Sequence, residues 1–228
     1  PQMGINFSTE LYYKKTLNVV EYQDGAEFIS DALIESQALQ GEQTAYGLEM
    51  MIRKNAGKFT GWLSYCYSRS SILIDGINEW EKINNGDRFP SNYDKPHALN
   101  GVMNFRLNRQ FSISSNIVYS TGRPVTYPIS IYHSEGRESV YYSSRNEFRI
   151  PDYFRMDLSF NIEGNLKARK RAHSYWMLSI YNLTGRKNAY SVFFKSENGV
   201  IKGYKMSIFG TPVVTLSWNI KLGNYESD

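Results

Sequence analysis

A chain of 228 residues, 41% of them apolar, can build one large or two small domains with a real core, so an intrinsically disordered polymer is excluded. Aromatic residues reach 15%, yet mean hydropathy is −0.48, and no stretch approaches the ~20 consecutive apolar residues that carry a helix across hydrocarbon. A membrane helix is excluded; a β-barrel, which shows lipid only every second residue, is not. The net charge of +4 is spread along the chain and gives no case for nucleic acid. Its basic run, Lys167, Arg169, Lys170 and Arg171, reads as a solvated turn.

In chain order, eight segments alternate with the two-residue period of a strand. The opening residues carry no signal peptide and already read as a strand in progress, as expected of a mature region or a fragment. The first strand, about 3–15, sets Ile5, Phe7, Leu11 and Tyr13 against Asn6, Ser8 and Glu10. The second, about 43–54, sets Tyr46, Leu48, Met50 and Ile52 against Glu49, Met51 and Arg53. In the third, about 59–72, Phe59, Leu63, Tyr65 and Tyr67 oppose Trp62, Ser64, Cys66 and Ser68. The fourth, about 96–107, opposes Leu99, Met103 and Phe105 to Asn100, Asn104 and Arg106, and the fifth, about 110–121, opposes Phe111, Ile113 and Ile117 to Ser112, Ser114 and Asn116. The sixth, about 153–163, is the clearest, with Phe154, Met156, Leu158, Phe160 and Ile162 facing away from Arg155, Asp157, Ser159 and Asn161. The seventh, about 174–184, carries Trp176, Leu178 and Ile180, and the eighth, about 212–222, carries Val214, Leu216, Trp218, Ile220 and Leu222 against Thr215, Ser217, Asn219 and Lys221.

The connections alternate in length. Asn55–Lys58 and Asn108–Arg109 are hairpin-sized. The sixth and seventh strands are joined by about ten residues, and the remaining gaps run to about 20–30, which ordinary soluble domains rarely carry on one end only. Short turns at one end and long loops at the other are the habit of transmembrane barrels, and they put the C-terminus on the short-turn, periplasmic side. Polar residues on the second face suit a hydrated lumen and would be left unpaired in a dry core. Tyr13, Tyr65, Tyr67, Tyr119 and Trp176 near segment ends suit interfacial girdles.

The chemistry-bearing residues favour transport over catalysis. His97, His133 and His173 stand apart from any nucleophile or carboxylate arrangement, no metal-ligand spacing occurs, and no cofactor motif is present. Cys66 is a single cysteine and excludes an internal disulfide. Gly122, Pro124 and Pro128 bend the chain as the fifth strand ends, Pro90 and Pro96 do so before the fourth, and Gly210 and Pro212 redirect it into the last. Candidate ligand contacts lie in long loops: Arg123, Tyr127, Tyr132, Arg137, Tyr141, Tyr142 and Arg145 in one, and Trp80 in another, with Phe193 and Phe194 weaker. Stacking aromatics suit sugar rings, and arginines suit anionic siderophores or peptide carboxylates. Arg155 and Asp157 share a side of their strand and read first as a lumen ion pair; with Glu49, Arg53 and Arg106 they are candidates for contacts to the lumen or a plug.

YGLEMMIRKNAGKFTGWLSYCYSRS (46–70), NNGDRFPSNYDKPHALN (84–100), YSTGRPVTYP (119–128), RIPDYFRMDLSFNIEG (149–164), YNLTGRKNAYSVFF (181–194) and GYKMSIFGTPVVTLSWNIKL (203–222) stand in that order along the chain. Together they resemble the C-terminal barrel region of TonB-dependent outer-membrane receptors, in particular the SusC-like group with an N-terminal carboxypeptidase-regulatory-like domain. The resemblance implies an antiparallel transmembrane β-barrel of 22 strands, of which this chain supplies about eight, closed by a plug from an absent N-terminal region. It also implies import of a scarce or bulky nutrient with energy relayed by the TonB complex, and a surface lipoprotein as a further partner. The chain departs from that pattern at its end, where Leu222 is followed by Gly223–Asp228 instead of a terminal aromatic residue. Two other readings stay open: a self-contained eight-stranded outer-membrane barrel with an adhesive or enzymatic role, and a secreted β-sandwich that binds carbohydrate.

Overall fold

The structure, a computed structural model, describes residues 4–23, 37–134, 137–164, 170–197 and 200–225. The main sheet is antiparallel throughout and uses β1 (Ile5–Tyr22), β2 (Ala38–Lys54), β3 (Phe59–Leu73), β5 (His97–Arg106), β6 (Phe111–Ser120), β11 (Tyr153–Glu163), β12 (Lys170–Tyr181) and β15 (Val213–Tyr225), each beside its neighbour in that order. A short β4 (Phe89–Pro90) pairs with the end of β3, beyond the reach of β5. Three small ladders lie in the long connections: β7 (Pro124–Val125) with β10 (Phe148–Arg149), β8 (Pro128–Ser134) with β9 (Arg137–Tyr142), and β13 (Ser191–Glu197) with β14 (Val200–Met206).

Register turns the alternation of single strands into faces of a sheet. On one face Phe7 opposes Ile52, Ile52 opposes Leu63, Leu63 opposes Gly101, Gly101 opposes Ile117, and Ile117 opposes Met156. Lower on the same face, Phe105, Ile113, Phe160, Leu178 and Leu216 follow one another across the strands. Among the described residues nothing covers this band: Phe160 remains 37% exposed, Phe105 43%, Ile52 46% and Leu216 66%. The other face carries Asn104, Ser114, Ser159, Ser179 and Thr215 in successive register. Such a sheet, greasy outside and hydroxylated inside, is the wall of a membrane barrel.

The buried apolar residues confirm that the sheet itself has no dry core. Among the described residues they are Leu39, Ile72, Ile74, Ile83, Phe89 and Ile150, all near the ends of strands or in the long connections. Leu39 and Ile72 belong to the polar side of β2 and β3, by their register with Gln43 and by alternation, and Phe89 sits opposite Ile72. The connection between β3 and β5 therefore folds inward over the inner face at the long-loop end and makes a small core there. The whole chain exposes 15975 Å², against about 10,600 Å² expected of a compact protein of its mass.

Local chemistry explains the short turns. Asn108 Oδ1 accepts hydrogen bonds from the backbone N–H groups of Gln110 and Phe111, both at 2.8 Å, closing the turn between β5 and β6. The strands depart from the sequence reading at both ends: β1 continues to Tyr22 and β2 begins at Ala38, so the first long connection is shorter than expected, and β12 begins at Lys170 and β15 runs on to Tyr225. The long connections also contain hairpins, β8 with β9 and β13 with β14, that alternation alone does not reveal. Phe193 and Phe194 both belong to β13.

Candidate ligand cavity on the inner face

At the long-loop end three connections converge on the inner face around the start of β11. Gly122 is what permits the first approach: a Cβ there would lie 1.7 Å from the carbonyl oxygen of Ile150, so only glycine lets the chain after β6 run against the chain before β11. The N–H of Gly122 donates to Asp152 Oδ1 at 2.9 Å, and the Tyr119 hydroxyl donates to Asp152 Oδ2 at 2.8 Å. These two donors hold the Asp152 carboxyl below its ordinary range. The proline-rich segment read as a bend is thus a corner whose backbone is pinned by a carboxylate.

A second corner joins the end of β12 to the start of β15. Asn182, fully buried with φ 52°, donates through Nδ2 to the carbonyls of Arg186 (3.2 Å) and Phe209 (2.9 Å). Its backbone N–H donates to Asp157 Oδ1 at 2.9 Å. Asp157 Oδ2 accepts from Arg155 Nε at 3.1 Å and from Asn116 Nδ2 at 3.1 Å. The Arg155 guanidinium lies over the Tyr181 ring at 4.6 Å and donates to the Tyr153 and Tyr181 hydroxyls at 3.3 and 3.0 Å. Arg155 and Asp157 are therefore a hydrogen-bonded ion pair on the inner wall, and Asp157 also fastens the strand to the motif YNLTG.

Between these corners lies a cavity of about 470 Å³. Lys95, Arg123 and Arg155 line it, and no aspartate or glutamate does. Its aromatic lining comes from Tyr153, Tyr181, Tyr190 and Phe209. A second cavity, about 750 Å³, lies among the loops and brings Tyr141, Tyr142 and Arg145 together with Lys82 and Glu79.

The other candidate residues distribute as follows. Tyr127 is enclosed by loop aromatics, stacked on Phe148 at 4.9 Å and edge-on to Phe194 at 4.9 Å. Arg145 reaches across to β1, where Nη1 meets Glu21 Oε2 at 3.3 Å and Nη2 donates to the Tyr22 carbonyl at 2.9 Å. Its backbone is clasped by Asn84, whose Oδ1 accepts the Arg145 N–H at 2.7 Å. Tyr132 on β8 and Trp80 in the turn Glu79–Glu81 are exposed, 52% and 67%. Arg137 opens β9 opposite Ser134, and its side chain lies outside the described residues, as do those of Lys170 and Arg171. Glu49 faces the Cys66 thiol, whose Sγ is 3.9 Å from Oε1, while Arg53 and Arg106 are exposed on the inner face toward the short turns.

Other residues that order the loops are ones the sequence did not single out. Asp94, buried to 1% exposure, pairs with Arg149 and accepts the Ser70 N–H at 2.7 Å. Asn146 Nδ2 donates to the Pro90 carbonyl at 2.8 Å and to Asn92 Oδ1 at 2.9 Å. The available signal was the recurrence of Asn at loop positions: Asn84, Asn85, Asn146 and Asn182 all adopt positive φ, which asparagine tolerates better than other side chains.

No family model and no curated protein matches this chain. Among solved structures it is similar to the ferripyoverdine receptor of the outer membrane of Pseudomonas aeruginosa bound to ferripyoverdine, with a TM-score of 0.50 and 10% sequence identity. The match covers 95% of this chain and 24% of the receptor, so the chain spans about a quarter of that receptor's length. At that identity the likeness is one of architecture: the antiparallel sheet has the fold of a segment of an outer-membrane β-barrel receptor.

Proposed function

We propose that the chain is the C-terminal part of a TonB-dependent outer-membrane active transporter, of the SusC-like group, which imports a bulky or scarce nutrient. The observation that carries this reading is the predominantly apolar band across eight strands, backed by a polar face that long loops cover at one end only. Among the described residues the sheet also ends in two open edges, with β1 paired to β2 alone and β15 to β12 alone. Unpaired backbone groups in hydrocarbon cost several kcal/mol each, so further strands of a larger barrel belong at both edges. A self-closed eight-stranded barrel would instead need β1 against β15. In this reading the inner face meets a plug from elsewhere in the protein, the C-terminus lies in the periplasm, and a surface lipoprotein is a partner at the loop end. Glycans, peptides and siderophore-like ligands such as that of the similar receptor are all within the chemistry of the loops. The test is fractionation of cells expressing the full-length protein, followed by binding to the purified periplasmic domain of TonB. Recovery in the outer-membrane fraction with TonB binding is expected; recovery in the soluble fraction, or no binding to TonB, would overturn the reading.

A further inference from the structure

We infer that the cavity between the β6–β11 and β12–β15 corners is a binding site for a hydroxylated carboxylate, an acidic sugar or a hydroxycarboxylate iron chelate. The inference rests on the reading of the chain as an importer wall and gives that importer a ligand chemistry.

Charge is the first observation. Three cations line the cavity and no carboxylate does. Arg155 is already neutralised by Asp157 and held over the Tyr181 ring. The side chains of Lys95 and Arg123 have no ion-pair or hydrogen-bond partner among the described residues, whereas the nearby Arg149 is paired with Asp94. Two uncompensated cations beside a third, in a recess, attract an anion, and a guanidinium suits a planar carboxylate.

An orphaned acceptor is the second, independent of the first. Asn182 lines the cavity and is only 1% exposed, and its Oδ1 is buried without a hydrogen-bond partner among the described residues. Its orientation is set by the two carbonyls that accept from Nδ2, so rotating the amide cannot relieve it. A buried acceptor left unpaired is costly and calls for a donor; a ligand hydroxyl that displaces the side chains covering Oδ1 supplies one, and a carboxylate alone does not. The ring faces are the third. Tyr190 and Phe209 are 66% and 63% exposed, and Phe209 is held at φ 51°, a conformation that side chains other than Gly, Asn and Asp rarely adopt, by the hydrogen bond from Asn182. Backbone strain of this kind, kept by a buried amide, concentrates at ligand sites. Cations for the carboxylate, an acceptor for a hydroxyl and ring faces for the ligand body meet in one recess of a volume ordinary for small-molecule sites.

The experiment uses the purified full-length receptor in detergent and titration calorimetry with three probes: trigalacturonate, its fully methyl-esterified form, and ferric citrate. The ester keeps the rings and most hydroxyls and removes the charge. Binding of trigalacturonate or of ferric citrate is expected, the former at least about tenfold tighter than the ester. Arg123→Gln and Lys95→Gln, at exposed or half-exposed positions that leave folding intact, should each weaken the bound acid by about tenfold without changing the ester. Trigalacturonate marks an acidic sugar as the source of the chemistry, ferric citrate an iron chelate. Binding of neither acid, equal affinity for acid and ester, or wild-type affinity in both variants overturns the inference. Those results would leave outer-membrane recovery and TonB binding untouched, so the failure of the ligand chemistry is distinguishable from failure of the importer reading.

Discussion

Single residues at the two corners carry more of the architecture than their exposure suggests. Asp157 gathers three donors, from Arg155, Asn116 and the Asn182 backbone, onto one half-buried carboxylate. Its replacement by alanine should destabilise the barrel by about 2–3 kcal/mol, because Arg155 keeps its charge and loses its counterion; Asp157→Asn should lose less. Urea titration of the full-length protein followed by heat-modifiable gel mobility reads both. Gly122 is as strict, since an added methyl meets the Ile150 carbonyl at 1.7 Å; Gly122→Ala should lower the unfolding free energy by about 1–3 kcal/mol, and an unchanged midpoint would show that the corner is not packed as described.

Asp152 sets the acid response of the same corner. Its folded carboxyl is held below the ordinary value of 3.8 by the Gly122 N–H and the Tyr119 hydroxyl. The stabilisation is therefore complete above that ordinary value and is lost as pH falls through the lower, folded one. Stability attributable to Asp152 should be flat from pH 8 to about 5 and fall only in stronger acid. Asp152→Asn should remove that acid-dependent fall, which unfolding midpoints measured across the range would reveal.

At the scale of elements, the wall was legible from the amino-acid sequence and the loops were not. A strand's alternation is local, so Phe154–Ile162 and Val213–Leu222 declare their faces without a partner. The short turns were legible for the same reason, Asn108 being within reach of the two backbone donors it satisfies. Loop order instead depends on residues far apart in the chain. Arg149 meets Asp94 and Arg145 meets Glu21 across separations of 55 and 124 residues, and neither pairing has a local signature. For that reason Arg145 and Tyr127, attractive as ligand contacts by type, turn out to hold loop to strand and loop to loop. Arg123 and Arg155 reach a cavity together only because the Gly122 corner brings their segments side by side. Arg145→Ala should leave the sheet intact and loosen the segment around 143–147. Hydrogen exchange should show faster exchange there and at the end of β1, with β11 and β12 unchanged; uniform exchange throughout would count against a local tie.

The whole molecule is defined by the contrast between its two faces. An apolar band this wide, running from Phe7 to Leu216, has no packing partner among the described residues, and the buried apolar residues lie near strand ends or in the long connections. Lipid supplies the missing partner, and the hydroxyl rows opposite supply a wettable interior. Substitution should respect that asymmetry: Leu178→Arg at the middle of the outer face should cost about 2–4 kcal/mol in a bilayer, with Ser179→Arg on the inner face costing much less.

The most direct test of this assignment is spin labelling of the full-length protein in lipid vesicles, at Phe160, Leu178 and Leu216 on one face and Ser159, Ser179 and Thr215 on the other. Collision with oxygen reports lipid, and collision with a water-soluble nickel chelate reports water. Oxygen-rich collisions are expected at the first three positions and nickel access at the second three. Nickel access at Phe160, Leu178 and Leu216, or their occlusion from both reagents as in a packed protein core, would contradict the assignment.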